Sequence, residues 1–332
     1  MGNHAGMTPR IPLPHHLHRA AFRTSDVAPH EVGVGRLRGR DVQHPFHAVR
    51  SVGLDLDGVL DRCRAYEPLL GRKHYFSHVT AAALFGMPVG FRSRSALHVA
   101  TLEGRTPARS RGVIGHVVKA AGVSVTLVHG LPAIAPSDVW CQLAATFSNA
   151  DLVAVGDFLI TGRRIGPGRR AAALCTIEEL DAAVIRHRGC RGATAFRWAL
   201  PRLRAGADSA PESHLRLLCI AAGLPEPVIG AEVPVADGLR LHPDLAYPDL
   251  KIAIEYEGEG HRTDAAQFRR DIERKELYED VEWRVMRVSA DHLYRDPDAL
   301  VRRIRLKIAK QRDHLAGESS QTAVSSRMNR RS

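Results

Sequence analysis

The sequence predicts an α+β, multi-domain chain: an N-terminal winged-helix-like unit, a mixed α/β middle domain, and a C-terminal domain running helix-strand-strand-strand-helix-strand-helix. Three observations predict it. Amphipathic helical stretches and short alternating strand-like runs occur both before and after residue 205. A small, polar, Pro-ended stretch, Ala205-Gly206-Ala207-Asp208-Ser209-Ala210-Pro211, reads as a domain boundary. The 332 residues exceed what one core of ~150 residues organises, and an apolar share of 44% gives each part material for its own core. The expected domains are a disordered leader (1–20), the winged-helix-like unit (21–70), the middle domain (71–204), the C-terminal domain (211–311) and a disordered tail (313–332).

Composition narrows the function classes. A net charge of +11 favours polyanion partners, because Lys and Arg neutralise phosphates and release counterions. Free use of Arg throughout a proteome accounts for the same excess without a partner. No apolar run approaches the ~20 residues that span a bilayer, and no apolar stretch follows a basic start as in a secretory signal. Cys63, Cys141, Cys175, Cys190 and Cys219 are odd in number and widely spaced, which excludes a disulfide framework and a zinc knuckle. A cytoplasmic protein with DNA as partner and no membrane association is the expectation. The oligomeric state is open, a homodimer included.

Along the N-terminal part, Thr24 or Ser25 can cap a short helix. Gly33 and Gly35 then make a turn, Arg36, Arg38 and Arg40 fall on or beside a second helix, and Pro45 to Arg50 is strand-like. That order suits a winged helix with phosphate-contacting arginines, and equally a solvated basic loop. Tyr75 to Met87 predicts a helix ended by Gly86 and Pro88. Runs at 97–102, 112–118 and 123–128 predict strands of a small antiparallel sheet. Asp138 is expected to cap a helix reaching Phe147, and further helices are expected at 151–161, 176–187 and 195–203. Asp151 and Asp157 belong to the polar face of the first of these. Arg163, Arg164, Arg169 and Arg170 form a basic stretch beside it.

The C-terminal part carries the chemistry. Leu215, Leu218, Cys219 and Ala222 make a helical stripe stopped by Gly223 and Pro225. Glu212 falls near its inward face, where a carboxylate needs a partner. Strands follow at 228–235 and 239–247 around Asp237-Gly238, then at 251–257. Period-two alternation sets Ile252, Ile254 and Tyr256 on one face and Ala253, Glu255 and Glu257 on the other. Glu255 and Glu257 repel unless a cation lies between them, and Asp244 on the neighbouring strand can join them. Such an oxygen cluster is what Mg²⁺ requires. The solvent face of an edge strand accounts for the two glutamates in isolation. Gly258 and Gly260 allow a turn that returns His261 toward the carboxylates. A helix from Asp264 to about Glu279 aligns Gln267, Asp271 and Arg274. A strand at 283–289 and a helix with Leu300, Ile304 and Ile308 complete the order.

Pro243-Asp244-Leu245-Ala246-Tyr247, Ile252 to His261, and Asp271, Arg274 and Trp283-Arg284-Val285 in this order resemble the restriction-endonuclease-like, PD-(D/E)XK superfamily, most closely its DUF559 branch, similar to very-short-patch-repair endonucleases. The resemblance covers about 100 residues. It implies an αβββαβα core and metal-dependent endonuclease activity on DNA, with Mg²⁺ or Mn²⁺ as cofactor. It implies Asp244 and Glu255 as metal ligands, Glu257 as third ligand or orienting group, His261 as base or leaving-group stabiliser and Glu212 as the first-helix acid; Arg274 is a candidate DNA contact, and Lys275 or Arg274 can instead reach in where the superfamily has its Lys. The superfamily Lys is absent: Glu257 stands in its place. Phe22 to Val27, Arg36 to Asp41, and Gly130-Leu131-Pro132 with Ser137 to Trp140 resemble the AbiEi-type antitoxin family, which implies a DNA-binding winged helix before a mixed α/β domain. The alternative function is a non-catalytic DNA-binding regulator that keeps a degenerate nuclease fold.

Overall fold

The computed structural model describes residues 12–27, 32–90, 95–103, 106–166, 169–258 and 265–328. Its elements are, in chain order, β1 (Ala20–Arg23), β2 (Val49–Val52), α1 (Val59–Tyr66), β3 (His74–Phe76), α2 (His78–Leu84), β4 (Leu97–Leu102), β5 (Val113–Val118), β6 (Val125–Val128), β7 (Leu131–Ile134) and α3 (Pro136–Leu143). Then follow α4 (Asn149–Thr161), β8 (Arg164–Gly166), β9 (Arg169–Arg170), α5 (Ile177–Arg186) and α6 (Ala193–Ala199). The last third contains α7 (Ala210–Ala221), β10 (Val228–Ile229), β11 (Val233–Pro234), β12 (Arg240–Leu241), β13 (Leu245–Tyr247), β14 (Ile252–Glu257), α8 (Ala265–Asp280), β15 (Arg284–Ser289) and α9 (Pro297–Met328). The chain is mixed α/β and forms two compact units, Met1–Thr146 with Glu178–Thr194, and Phe147–Ile177 with Ala195–Ser332. No described helix is long and apolar enough to cross a membrane.

The first unit corrects the winged-helix expectation. Thr24 and Ser25 lie in a turn, and Arg36–Arg38 make one 3-10 turn. Gly33, Gly35 and Gly39 explain this, since three glycines in seven residues disfavour a helix. β1 and β2 instead pair antiparallel, with Phe22 opposite Arg50. Leu13, Leu17, Phe22, Val27, Val32, Leu37 and Val42 form a small core on this pair. Leu13 and Leu17 thereby tie down part of the stretch read as a disordered leader.

The second layer of this unit is a five-stranded sheet of order β5-β4-β3-β7-β6. The expected helix at 75–87 is split: Tyr75 pairs with Ala100 in the sheet, and α2 starts only at His78. The sheet is mixed, not antiparallel, because β4 runs parallel to β5 and β3 parallel to β7. Alternation identifies such strands but carries no direction. Asp138 does not cap α3, whose N-cap is Ala135. It is fully buried and accepts from Ser124 N at 2.7 Å, Arg186 Nη2 at 2.8 Å and His187 Nε2 at 3.0 Å, tying α3 to α5.

In the second unit the sheet order is β10-β13-β14-β15. β14 is antiparallel to β13, with Leu245 opposite Ile254, and parallel to β15, with Glu255 opposite Arg287. Ile252 and Ile254 pack with Leu215 and Cys219 of α7 and with Leu300, Ile304 and Ile308 of α9. Ala253 packs on the other side with Tyr278 and Trp283. Helix α8 therefore covers the face that carries Glu255. The order from α7 to α9 is the expected αβββαβα, with each of the first two strands broken into two short pieces.

The boundary expected at 205–211 lies inside this unit. Gly206 N–H donates to Thr161 Oγ1 at 2.9 Å, and α4 packs along α7. Asp157 of α4 is not on a polar face. It is fully buried and accepts from Ser213 Oγ at 2.7 Å, Arg216 Nη2 at 3.1 Å and Arg204 N at 2.6 Å. An apolar helix such as α4 has no solvent side to spare, so residues 147–177 join the C-terminal domain instead of the middle one. The expected disordered tail is corrected as well: α9 continues through 313 to Met328.

Candidate functional site

Asp244 lies within electrostatic range of two other carboxylates of the second unit, Glu212 and Glu255, each brought by a different element. Glu212 is the third residue of α7. Its Oε1 accepts from Ser209 Oγ, the N-cap hydroxyl, at 2.7 Å and its Oε2 from Asp208 N at 2.8 Å, so it ties the entry of the chain to the first turn of α7. It is nonetheless buried. Burial, with the Asp244 carboxylate beside it, pushes Glu212 up to about 8. Asp244 stands just before β13 and takes Tyr256 N–H of β14 at 2.6 Å. Burial raises it to about 6 against that hydrogen bond, and Glu255 adds to the rise. Glu255 lies in β14 on the α8 face.

Glu255 is held by α8. Arg274 donates to its Oε1 from Nε at 3.2 Å and from Nη2 at 2.9 Å, and Tyr278 Oη donates to the same oxygen at 3.0 Å. Arg274 also reaches His242 O at 2.7 Å. The residue expected at the DNA is thus committed to the carboxylate cluster. Burial alone would lower the Arg274 guanidinium, but Glu255 keeps it raised. Burial, with Glu255 adding to it, likewise raises the Tyr278 phenol.

The other expected site residues fare differently. Glu257, the last residue of β14, is engaged by Arg287 at 2.8 Å with its side chain 45% exposed. It takes no part in the Asp244–Glu255 cluster, because the end of the strand opens to solvent opposite a basic neighbour. His261 lies outside the described residues. Arg36 forms a two-point ion pair with Asp41, its Nη2 at 2.6 Å, and Arg38 and Arg40 are exposed on the same turn and the residues after it, with no recognition helix beneath them.

Two features were missed in the sequence. Tyr278 follows Arg274 by one helical turn, a spacing that places both on one face. Asp208, read as linker, pairs with Arg164 at 2.8 Å and Arg170 at 2.6 Å, and its charge is felt by both Glu212 and Asp244. The β8–β9 hairpin therefore sets exposed arginines beside the acidic cluster.

Oxygen-only donors suit Mg²⁺, which is commonly held by one or two carboxylates with water and phosphate completing its shell. Asp244 and Glu255 supply two. Among the described residues no three of the carboxylates bring ligand atoms within 4.8 Å of one another. Of these, Glu255 Oε1 is already held by Arg274 and Tyr278.

The raised Glu212 has a measurable consequence. In EDTA, the stability of the second unit is expected to fall as pH rises from about 5 to about 8. The folded state keeps the Glu212 proton up to about 8, while the unfolded chain releases it near 4.5. Within that window the native state binds more protons, so raising the pH favours unfolding, by a few kcal/mol at most. Urea unfolding at four pH values checks it, and Glu212→Gln should flatten the dependence. Stability that rises across the window would contradict a buried, protonated Glu212.

The chain is similar to uncharacterized protein MT2308 of Mycobacterium tuberculosis (strain CDC 1551 / Oshkosh), 28% identical over 247 residues, which cover 74% of this chain and 85% of the relative. Uncharacterized protein Rv2248 of Mycobacterium tuberculosis (strain ATCC 25618 / H37Rv) matches with the same identity and coverage. No family model matches the sequence, and no solved structure matches the fold.

Proposed function

We propose that the second unit is a divalent-metal-dependent nuclease that hydrolyses phosphodiester bonds in DNA. The observation that carries this reading is the placing of the half-buried Asp244 next to β14, its Oδ2 taking the N–H of Tyr256, the residue after Glu255, at 2.6 Å, where burial first and the neighbouring carboxylates second raise both Asp244 and Glu212. A cation offsets such buried negative charge. Asp244 and Glu255 would hold Mg²⁺ or Mn²⁺, which lowers the pKa of a bound water and offsets charge on the scissile phosphate. Glu212 holds a proton near neutral pH and can deliver it. Arg163, Arg164, Arg169 and Arg170, all exposed on or beside β8 and β9, would meet the phosphate backbone, Arg164 and Arg170 by leaving Asp208.

The αβββαβα order and the Pro243-Asp244 and Glu255 positions support a restriction-endonuclease-like core of the DUF559 kind. A second reading, a DNA-binding regulator without catalysis, is supported by the grip of Arg274 and Tyr278 on Glu255 and by Glu257 in place of a lysine.

The test is relaxation of supercoiled plasmid by the full chain in Mg²⁺, Mn²⁺ or EDTA. Metal-dependent nicking is expected, reduced at least roughly 100-fold in Glu255→Ala. Binding in a gel shift with no cleavage under any metal would favour the regulator.

A further inference from the structure

The first unit contains a second cluster of metal-ligating side chains that the carboxylate site does not use. His78, at the start of α2, His98 of β4 and His116 of β5 each offer a ring nitrogen, and the three nitrogens lie within 4.8 Å of one another. His98 Nδ1 and His116 Nε2 are 2.9 Å apart. The His78 and His116 rings stack at 3.8 Å between centroids, and His98 and His116 at 5.1 Å. We propose that His78, His98 and His116 form a site for an imidazole-preferring transition-metal ion of the Zn²⁺ class.

Zn–N bonds of about 2.0–2.1 Å in a tetrahedron set ligand nitrogens roughly 3.3 Å apart, a spacing the cluster already approaches; binding an ion would turn His78 and His116 out of their stack and break the His98–His116 contact. The rings are half-buried, and three protein ligands leave a coordination position open for water or a substrate oxygen. Nitrogen-only donors favour Zn²⁺, Ni²⁺ or Cu²⁺ over Mg²⁺.

Local structure is spent on orienting the first ligand. Ser77 stands at the N-cap of α2, where a hydroxyl ordinarily takes a backbone N–H, yet it makes no such cap bond. Its Oγ lies 3.1 Å from His78 Nδ1 instead, which leaves Nε2 as the free nitrogen. His78 itself holds a left-handed backbone, φ +49°, that a non-glycine residue adopts only under constraint. Its N–H is fixed by Gln142 Oε1 at 3.0 Å, and the Gln142 amide nitrogen is buried with no acceptor among the described residues. His98 is fixed through its N–H, which donates to Thr80 Oγ1 at 2.8 Å.

Sequence alone hides this cluster. The three histidines are 18 and 20 residues apart, outside any short metal-binding spacing, and each sits among apolar neighbours as a core histidine does. Only the parallel pairing of β4 and β5, which sets Ala100 opposite His116, brings two of them together beneath the start of α2.

The test is calorimetric titration of the full chain with Zn²⁺ in excess Mg²⁺, which occupies oxygen-only sites. One Zn²⁺ per chain is expected. His98→Ala and His116→Ala should weaken it by more than the roughly 100-fold that loss of an outer-shell partner costs. Asp244→Asn and a combined His15→Ala, His16→Ala, His18→Ala variant should leave it intact. Zn²⁺ binding that survives His98→Ala and His116→Ala, or that disappears with the three leader histidines, would overturn the site. X-ray absorption of the Co²⁺-loaded wild-type chain does not depend on any variant folding: imidazole ligation by three rings is expected, and oxygen-only ligation or failure to bind Co²⁺ would overturn the proposal.

Discussion

Asp157→Ala is expected to destabilise the second unit by about 3 kcal/mol, lowering its melting temperature by roughly 10 °C. Asp157 and Arg216 are both fully buried and joined at 3.1 Å. Removing the carboxylate strands the guanidinium, whose Nε already lacks a hydrogen bond, and also strips Ser213 Oγ and Arg204 N of their acceptor. Glu226 still holds Arg216 Nη1 at 2.9 Å, which keeps the loss at the lower end for a broken buried pair. Burial raises the Asp157 carboxyl above its ordinary value even though Arg204 N–H, Arg216 and Ser213 oppose it. The pair is therefore expensive to bury. Asp157→Leu combined with Arg216→Met should consequently cost much less than either single change. Urea unfolding of the four proteins forms the cycle. Additive losses would show that the two groups do not depend on each other, and α4 would lose its main specific tie to α7.

Asp244→Asn is expected to move activity and stability in opposite directions. The side chain keeps an oxygen for Tyr256 N–H and keeps its shape, but loses the charge. Cleavage should fall at least roughly 100-fold, since a neutral amide is a poor ligand for a hard cation. Stability in EDTA at pH 8 should rise by on the order of 1–2 kcal/mol, because Asp244 is then ionised against the cost of its burial, with Glu255 beside it. The sign reverses no further down the scale; it fades. The folded-state value of about 6 lies above the ordinary 3.8, so below about 4 both states are protonated and the gain should vanish. A site that trades stability for function behaves in this way, and an ordinary surface aspartate does not. An Asn variant that cleaves normally, or one that is less stable at pH 8, would contradict the role given to Asp244.

Much of the second unit was legible because its signals are local. The α7 stripe ends at Gly223 as read, and the alternation in Ile252-Ala253-Ile254-Glu255 separates the α9 face from the α8 face. What failed depended on partners distant in the chain. Nothing in the sequence around Asp157 shows that Arg216 will meet it, so a buried ion pair read as a polar helix face. The reach of Arg274 toward the carboxylates could be read from its helix following β14, but its pairing with Glu255 through Tyr278's turn could not. Glu257 shares the face of Glu255 by periodicity, but strand position decides exposure, and the end of β14 is open. At the N-terminus, turn chemistry prevailed over helix order, because Gly33, Gly35 and Gly39 break the segment that Arg36 and Arg38 would have occupied.

The central claim is that Asp244 and Glu255 together hold a divalent cation. It is tested most directly by titrating the full chain with Mn²⁺ in an electron paramagnetic resonance cell and following the signal of the free ion. One bound Mn²⁺ per chain is expected, competed by Mg²⁺, lost in Asp244→Asn and in Glu255→Gln, and unchanged in His98→Ala. Binding of equal strength in the wild type and in both carboxylate variants, or no binding at all, would contradict it.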